Sequence, residues 1–313
     1  SSDALVRETP VPRAGLGTYL ACLGRMLRFD NIPLEAPPGP ARTAFRRFLL
    51  APAETAALKR VAAQGRMGVS ALASAALLLS LRAEQAGDGA RPLSLMTWID
   101  VRSHYEPPLS PEHLGAHISI ALSSLPIARE QPLLDVAGAL RAHTAEELAR
   151  GRALAMRPFY AWLFRLAIQA PWLLYKQGRV CTAVVSEIRS FEDGVADFGP
   201  LSLVDVQSVG SNHGLGACAT LYLVWVRGAL QLVLAYPAHK LDAPRADRIL
   251  DHLLAEAVVL EQLVGDALAQ RLVGHARGQQ PDPDDHHQVD VVVHAQPGGI
   301  DPRHAFGGVG HEG

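Results

Sequence analysis

The chain has 313 residues, of which 49% are hydrophobic and 19% charged, with a formal net charge of −2. A mean hydropathy of +0.11 excludes a wholly disordered chain, which needs low hydropathy and high net charge. The near-neutral balance excludes a dedicated nucleic-acid binder, because affinity for phosphate comes mostly from excess Lys and Arg.

The length holds one large domain or two of ordinary size. Cys22, Cys181 and Cys218 are far apart and without paired spacing, so neither a disulfide scaffold nor a thiolate zinc site is expected. A reducing compartment, the cytoplasm, is the expectation. With no start methionine and no charged-then-apolar leader, the chain reads as beginning mid-sequence. Its most apolar stretch, Pro158 to Tyr175, is interrupted by Arg165, Gln169 and Pro171. That pattern predicts a core helix broken at Pro171 rather than a membrane span. An interfacial element flanked by Arg157 and Lys176 is the less favoured alternative.

Residues 31 to 40 (NIPLEAPPGP) are too rich in proline for a helix or a central strand and read as an extended linker. Residues 41 to 265 carry the periodic patterns. The tail from 266 to 313 is rich in Gly, Pro, Asp and His and is expected to be disordered, apart from a short strand-like run at Val291 to Val293.

In chain order, Thr43 to Leu50 reads as a strand, and Pro52 is placed to open a helix running to about Gln64, with Leu58, Val61 and Ala62 on one face. Gly65 breaks that helix. A second, apolar nearly all round, is expected from a Ser70 cap, which predicts burial inside a large domain. Leu93 to Val101 reads as a buried strand, and Leu133 to Leu148 as an amphipathic helix. Val180 to Ile188 and Leu201 to Val209 are strand candidates. Leu221 to Val226 and Leu230 to Tyr236 flank Arg227-Gly228-Ala229, the signal of a hairpin with a three-residue loop. Pro244 opens a closing helix. The sum is an α/β (α+β) layer arrangement, a mixed sheet covered by helices.

Motifs of phosphate loops, nucleophile elbows and zinc proteases are absent from the sequence. Asp100 and Arg102, two apart at a strand end, either pair at the surface or face a cleft. His117, in LGAHIS, is able to ligate, to act as a base, or to satisfy a backbone carbonyl. Ser186 and Glu187 end a further strand, and Asp197-Phe198-Gly199-Pro200 suits a turn beyond it.

The succession of helix pair, strand ending D-x-R, L-G-x-x-x-S strand, long helix, V-V-S strand end, D-F-G and apolar hairpin resembles the C-terminal lobe of the chloramphenicol-acetyltransferase-like superfamily. That group includes condensation domains, polyketide-associated acyltransferases, alcohol acetyltransferases and wax ester synthases. The resemblance implies one lobe of a two-lobed fold, with 1–40 as the end of the N-terminal lobe and linker and 41–265 as the C-terminal lobe. It also implies transfer of an acyl group from a thioester, on coenzyme A or a carrier protein, to a hydroxyl or amine. In the family the base is the second histidine of an H-H-x-x-x-D-G motif at the lobe interface. The motif's aspartate pairs with an arginine, for which Arg102 is the candidate here. Asp197 to Gly199 match the start of the family's D-F-G-W-G, and Gly115 the glycine of its L-G strand.

Three departures accompany the resemblance. Ala116 and Glu187 stand where the family has asparagine, and Pro200-Leu201 replace the W-G of D-F-G-W-G. The histidine motif itself is missing, since residues 1 to 30 contain no histidine. His286 to Asp290 offers H-x-x-x-D, but downstream of the lobe and without the glycine. No catalytic residue, resident cofactor or metal site is therefore assigned, and the structural or cleft candidates are Asp100, Arg102, Gly115, His117, Ser186, Asp197 and Gly199. The implied donor is an acyl-CoA or acyl-carrier thioester. The implied partner is the N-terminal lobe or a second subunit. The competing reading is a non-catalytic binding descendant of the same lobe.

Overall fold

The structure, a computed structural model, describes residues 17, 20, 42–105, 108–110, 117–155, 181–191, 197–198, 201–206, 217–262 and 291–295. Strands β1 (Thr43–Leu50), β2 (Arg91–Asp100), β3 (Ile118–Ile127), β4 (Ala183–Phe191), β7 (Ala219–Val226) and β8 (Ala229–Pro237) form one mixed sheet in the order β1-β8-β7-β4-β2-β3. The central strands β2, β4 and β7 run parallel, and every other neighbouring pair is antiparallel. A second, antiparallel sheet joins β5 (Asp197–Phe198), β6 (Leu201–Val206) and β9 (Val291–Ala295). Within the tail expected to be disordered, the run of three valines thus forms a strand, as β-branched residues favour.

Helices α1 (Pro52–Gln64), α2 (Val69–Ala83), α3 (Leu133–Ala149) and α4 (Ala243–Gln262) pack on one face of the large sheet. The outward-and-inward alternation of the strands sends Leu93, Leu95, Val185, Leu221, Leu223, Trp225, Leu232 and Leu234 to that face. There they meet α2, whose side chains from Leu72 to Arg82 are buried all round, so the apolar helix is the centre of the core. Among the described residues no single helix is long and apolar enough to cross a membrane. The stretch Pro158 to Tyr175 lies outside the described residues.

Two local readings are corrected. The cap of α2 is Gly68, in extended conformation, and not Ser70. The Gly68 carbonyl accepts the Ala71 and Leu72 amides at 3.0 and 3.3 Å, so the helix opens one residue before the serine. The β7–β8 hairpin closes in two residues, Arg227 (φ 48°) and Gly228 (φ 78°), with Val226 paired to Ala229. Two successive positive φ angles match the right-handed twist of the strands, and this tighter turn is favoured even with arginine in the left-handed region.

The start of α1 is tied to the sheet by its own side chains. The Ala51 amide donates to Glu54 at 2.6 Å. The Thr55 hydroxyl donates to the Leu50 carbonyl at 3.3 Å and accepts the Leu230 amide at 3.0 Å. On the opposite sheet face, Val206 of β6 packs against Ile188, Tyr222, Val224 and Val226. Gln231 adds a polar tie in the amide orientation that satisfies both ends, donating to the Val206 carbonyl and accepting from Arg47.

Candidate functional site at the C-terminal edge of the parallel strands

Parallel alignment brings the carboxyl ends of β2, β4 and β7 to one edge of the sheet, the usual ligand edge of parallel strands. Asp100, Arg102 and His117 fall there, whereas Ser186 is the fourth of nine residues of β4, which does not end at Ser186–Glu187 as expected but runs on to Phe191. The faces divide them. Asp100 pairs in register with Ile118, and Ser186 with Tyr222, on the face away from the helices. His117 lies opposite Val101 and so faces the helix side. Asp100 and Ser186 thus share a face on adjacent strands, with Ser186 short of the strand end, and His117 lies on the other face.

Asp100 and Arg102 form a two-point pair. Arg102 follows the strand in a single 3-10 turn, Arg102–His104, which folds it back over the aspartate. Its amide and its guanidinium each donate to the carboxylate at 2.9 Å. The carboxylate is 59% exposed and the arginine side chain 25%. The arginine Nε is buried and has no hydrogen-bond partner among the described residues. Of the two readings open for these residues, local pairing is what they do, and the buried Nε of the arginine remains uncommitted.

Ser186 and Glu187 part in the same way. Ser186 lies on the face away from the helices, beside Tyr222, whereas Glu187 turns to the helix side. There it accepts the indole N–H of Trp225 at 2.9 Å and the guanidinium of Arg189 at 2.7 Å. Lys59 of α1 sits 4.5 Å from the centroid of the Trp225 ring and Arg189 5.4 Å, so two cations flank one buried indole. Sequence reasoning treated Glu187 only as a departure from asparagine. The i, i+2 spacing of Glu187 and Arg189 on one strand carried the signal of this pair, but the tryptophan joins only through β7. Immediately after Ile188 the β4–β7 register slips before resuming at Phe191–Val226, as a bulge at a sheet rim does.

His117 is held from two sides. Its carbonyl accepts the Val101 amide at 2.9 Å. Its ring meets Tyr105 edge-on, with centroids 5.6 Å apart and planes at 89°. Val101, Tyr105, Leu109 and Leu154 form a small buried cluster beside it. Nδ1 of His117 is buried and unpartnered. The backbone of Asp197 pairs with Ser202 in β5–β6. Gly115 and Gly199 lie outside the described residues, as do the histidines of the tail at His286 and His287.

The opposite, amino-terminal end of the same strands is dry. Cys181 and Cys218 are buried free thiols. Burial pushes both up, Cys218 to about 12. Among the described residues no three His, Cys, Asp or Glu side chains converge as metal ligands.

Residues 39–164 match the family model of the phthiocerol/phthiodiolone dimycocerosyl transferase C-terminus. Similar solved structures include polyketide synthase associated protein 5 from Mycobacterium tuberculosis, at 15% identity and a TM-score of 0.54 over 78% of this chain and 59% of that one. The trichothecene 15-O-acetyltransferase from Fusarium sporotrichioides gives 14% identity and 0.59 over 78% and 52%. A condensation domain that mediates chain release from the enacyloxin polyketide synthase gives 12% and 0.53 over 86% and 49%. No curated protein matches the sequence. The chain spans about half the length of these structures. The described fold is thus similar to that of these acyltransferases and condensation domains, and residues 39–164 match a transferase C-terminus in sequence.

Proposed function

We propose that this lobe serves an acyltransferase that moves an acyl group from a thioester, on coenzyme A or a carrier protein, to a hydroxyl or amine. The observation that carries the reading is the match of residues 39–164 to a transferase C-terminus, in a fold that sets the Asp100–Arg102 pair at the carboxyl end of β2. Arg102 braces the site. Its free Nε is a donor suited to a carboxylate presented by an N-terminal lobe, a partner this proposal requires. The proton-abstracting imidazole comes from that partner, because the family's histidine motif does not occur in these 313 residues.

The test has two parts. The reading frame upstream of Ser1 is expected to encode H-H-x-x-x-D-G, and the joined polypeptide to release free thiol from an acyl-CoA in the presence of an alcohol. Binding of the thioester without turnover by that joined polypeptide would instead establish the non-catalytic reading.

A further inference from the structure

Strand addition needs an edge with main-chain groups to offer and an extended segment that reaches it. β6 supplies the edge. Its neighbour β5 has two residues and pairs with it at Asp197↔Ser202 and Phe198↔Leu201. A hairpin that small is marginal in water, and a third strand is what makes such a sheet hold. Among the described residues β6 meets the large sheet at its far end. There Val206 packs on Ile188, Tyr222, Val224 and Val226, and the Gln231 amide donates to its carbonyl at 2.6 Å. The end beside Asp197 and Phe198 is held by strand pairing.

The strand that completes the sheet comes from the tail. β9 runs antiparallel along all of β6, from Leu201↔Ala295 through Ser202↔His294 to Val206↔Val291. Val291 to Val293 are the only three consecutive β-branched residues after residue 265, and such residues favour the extended chain. Pro297, two residues beyond β9, bars the ladder from continuing. Because β9 is tethered to α4 through residues 263–290, it meets β6 at an effective concentration of about 1 mM, well above that of a second copy in dilute solution.

We propose that the edge of β6 is a strand-accepting surface and that Val291–Ala295 of the same chain is its occupant, an internal docking strand that orders the hairpin carrying Asp197 and Phe198. Recognition is by main-chain hydrogen bonds, so the surface takes an extended, β-branched segment. This role of the tail holds whether or not the lobe serves an acyltransferase.

The test uses the full chain and amide hydrogen exchange. Consecutive amides of a strand point to opposite sides, so in the double variant Val292→Pro, Val293→Pro one lost donor faces β6. Exchange at 202–206 is expected to be about tenfold faster in the variant, with 219–237 unchanged. A free peptide of residues 288–296 restores slow exchange at 202–206 in the variant, and in the parent chain displaces β9 only near 1 mM. Unchanged exchange at 202–206, or a peptide that restores nothing, would overturn the assignment. Ser202→Cys with His294→Cys places two thiols on directly opposed residues, within reach of a disulfide. After oxidation of an equal mixture of 14N and 15N chains, peptide mapping is expected to find the 202–294 link within single isotopes. A link joining different isotopes would make a second copy the occupant and overturn the internal one, and no link would overturn both. If the proline variant does not fold, exchange at 219–237 reveals it and the disulfide decides.

Discussion

The two ends of the parallel strands use polar residues in opposite ways. At the amino-terminal end hydroxyls, a thiol and a guanidinium find partners inside the fold, although Nε of Arg82 and Oε1 of Gln85 do not. The Ser94 and Thr182 hydroxyls lie 3.2 Å apart, and each also accepts the other residue's amide, at 3.0 and 2.9 Å. The Cys218 thiol donates to the Thr182 carbonyl. Beside them Arg82, fully buried, donates to the carbonyls of Gly87 and Gly89 at 2.5 and 2.6 Å and so holds the loop that feeds β2. At the carboxyl-terminal end the ion pairs are partly exposed, the β4 register slips, and two buried nitrogens, on Arg102 and His117, lack partners. A satisfied, dry network stabilises; an open one with donors and acceptors left over is where a partner or ligand has something to add.

Substitutions should separate the two ends by size of effect. Arg82→Met removes the guanidinium that ties Gly87 and Gly89 to α2 and is expected to cost about 2 kcal/mol in denaturant unfolding. Thr182→Val strips the acceptor from the Ser94 amide and should cost about 2 kcal/mol by the same measurement. Alkaline pH acts on the same end. The folded thiols of Cys181 and Cys218 stay protonated while the unfolded chain ionises near its ordinary value of 9.0. The unfolded state then binds fewer protons, so stability present below pH 9 is lost as pH rises, by about 1 kcal/mol per thiol at pH 10. In Cys218→Ala the fall of Tm between pH 8 and pH 10 should be shallower. Arg102→Ala, at the other end, breaks an exposed pair and should change stability by less than about 1 kcal/mol. Its loss should appear instead in thioester turnover by the joined lobes.

Much of the fold was legible because each element carries its own punctuation. Thr43–Leu50 ends at Ala51-Pro52, and α1 begins at that proline. The all-round apolar character of α2 announced its burial. The spacing of Asp100 and Arg102 left pairing and facing a cleft both open, and the 3-10 turn that folds Arg102 back over the carboxylate decides for pairing. Legibility failed where geometry depends on a neighbour distant in sequence. The local sequence leaves three roles open to His117, and its face follows from the β2–β3 register, which no local pattern specifies. Glu187 looked like a lost contact because its partner Trp225 is 38 residues away. The turn at Arg227-Gly228 was read as three residues because a left-handed arginine is unexpected from propensity, and the twist of the strands overrides it. Arg82 is a charge inside an otherwise apolar helix, and that anomaly was itself a readable sign of a buried guanidinium with backbone partners.

The most direct test of the central claim, that a ligand has more to add at the carboxyl-terminal edge of the parallel strands than at their amino-terminal end, is amide hydrogen exchange of the chain with and without a saturating acyl-CoA. Slowed exchange at 98–104 and 186–191, with 91–95 and 181–183 unchanged, is the predicted result. Protection confined to the amino-terminal end, or no protection anywhere, would contradict it.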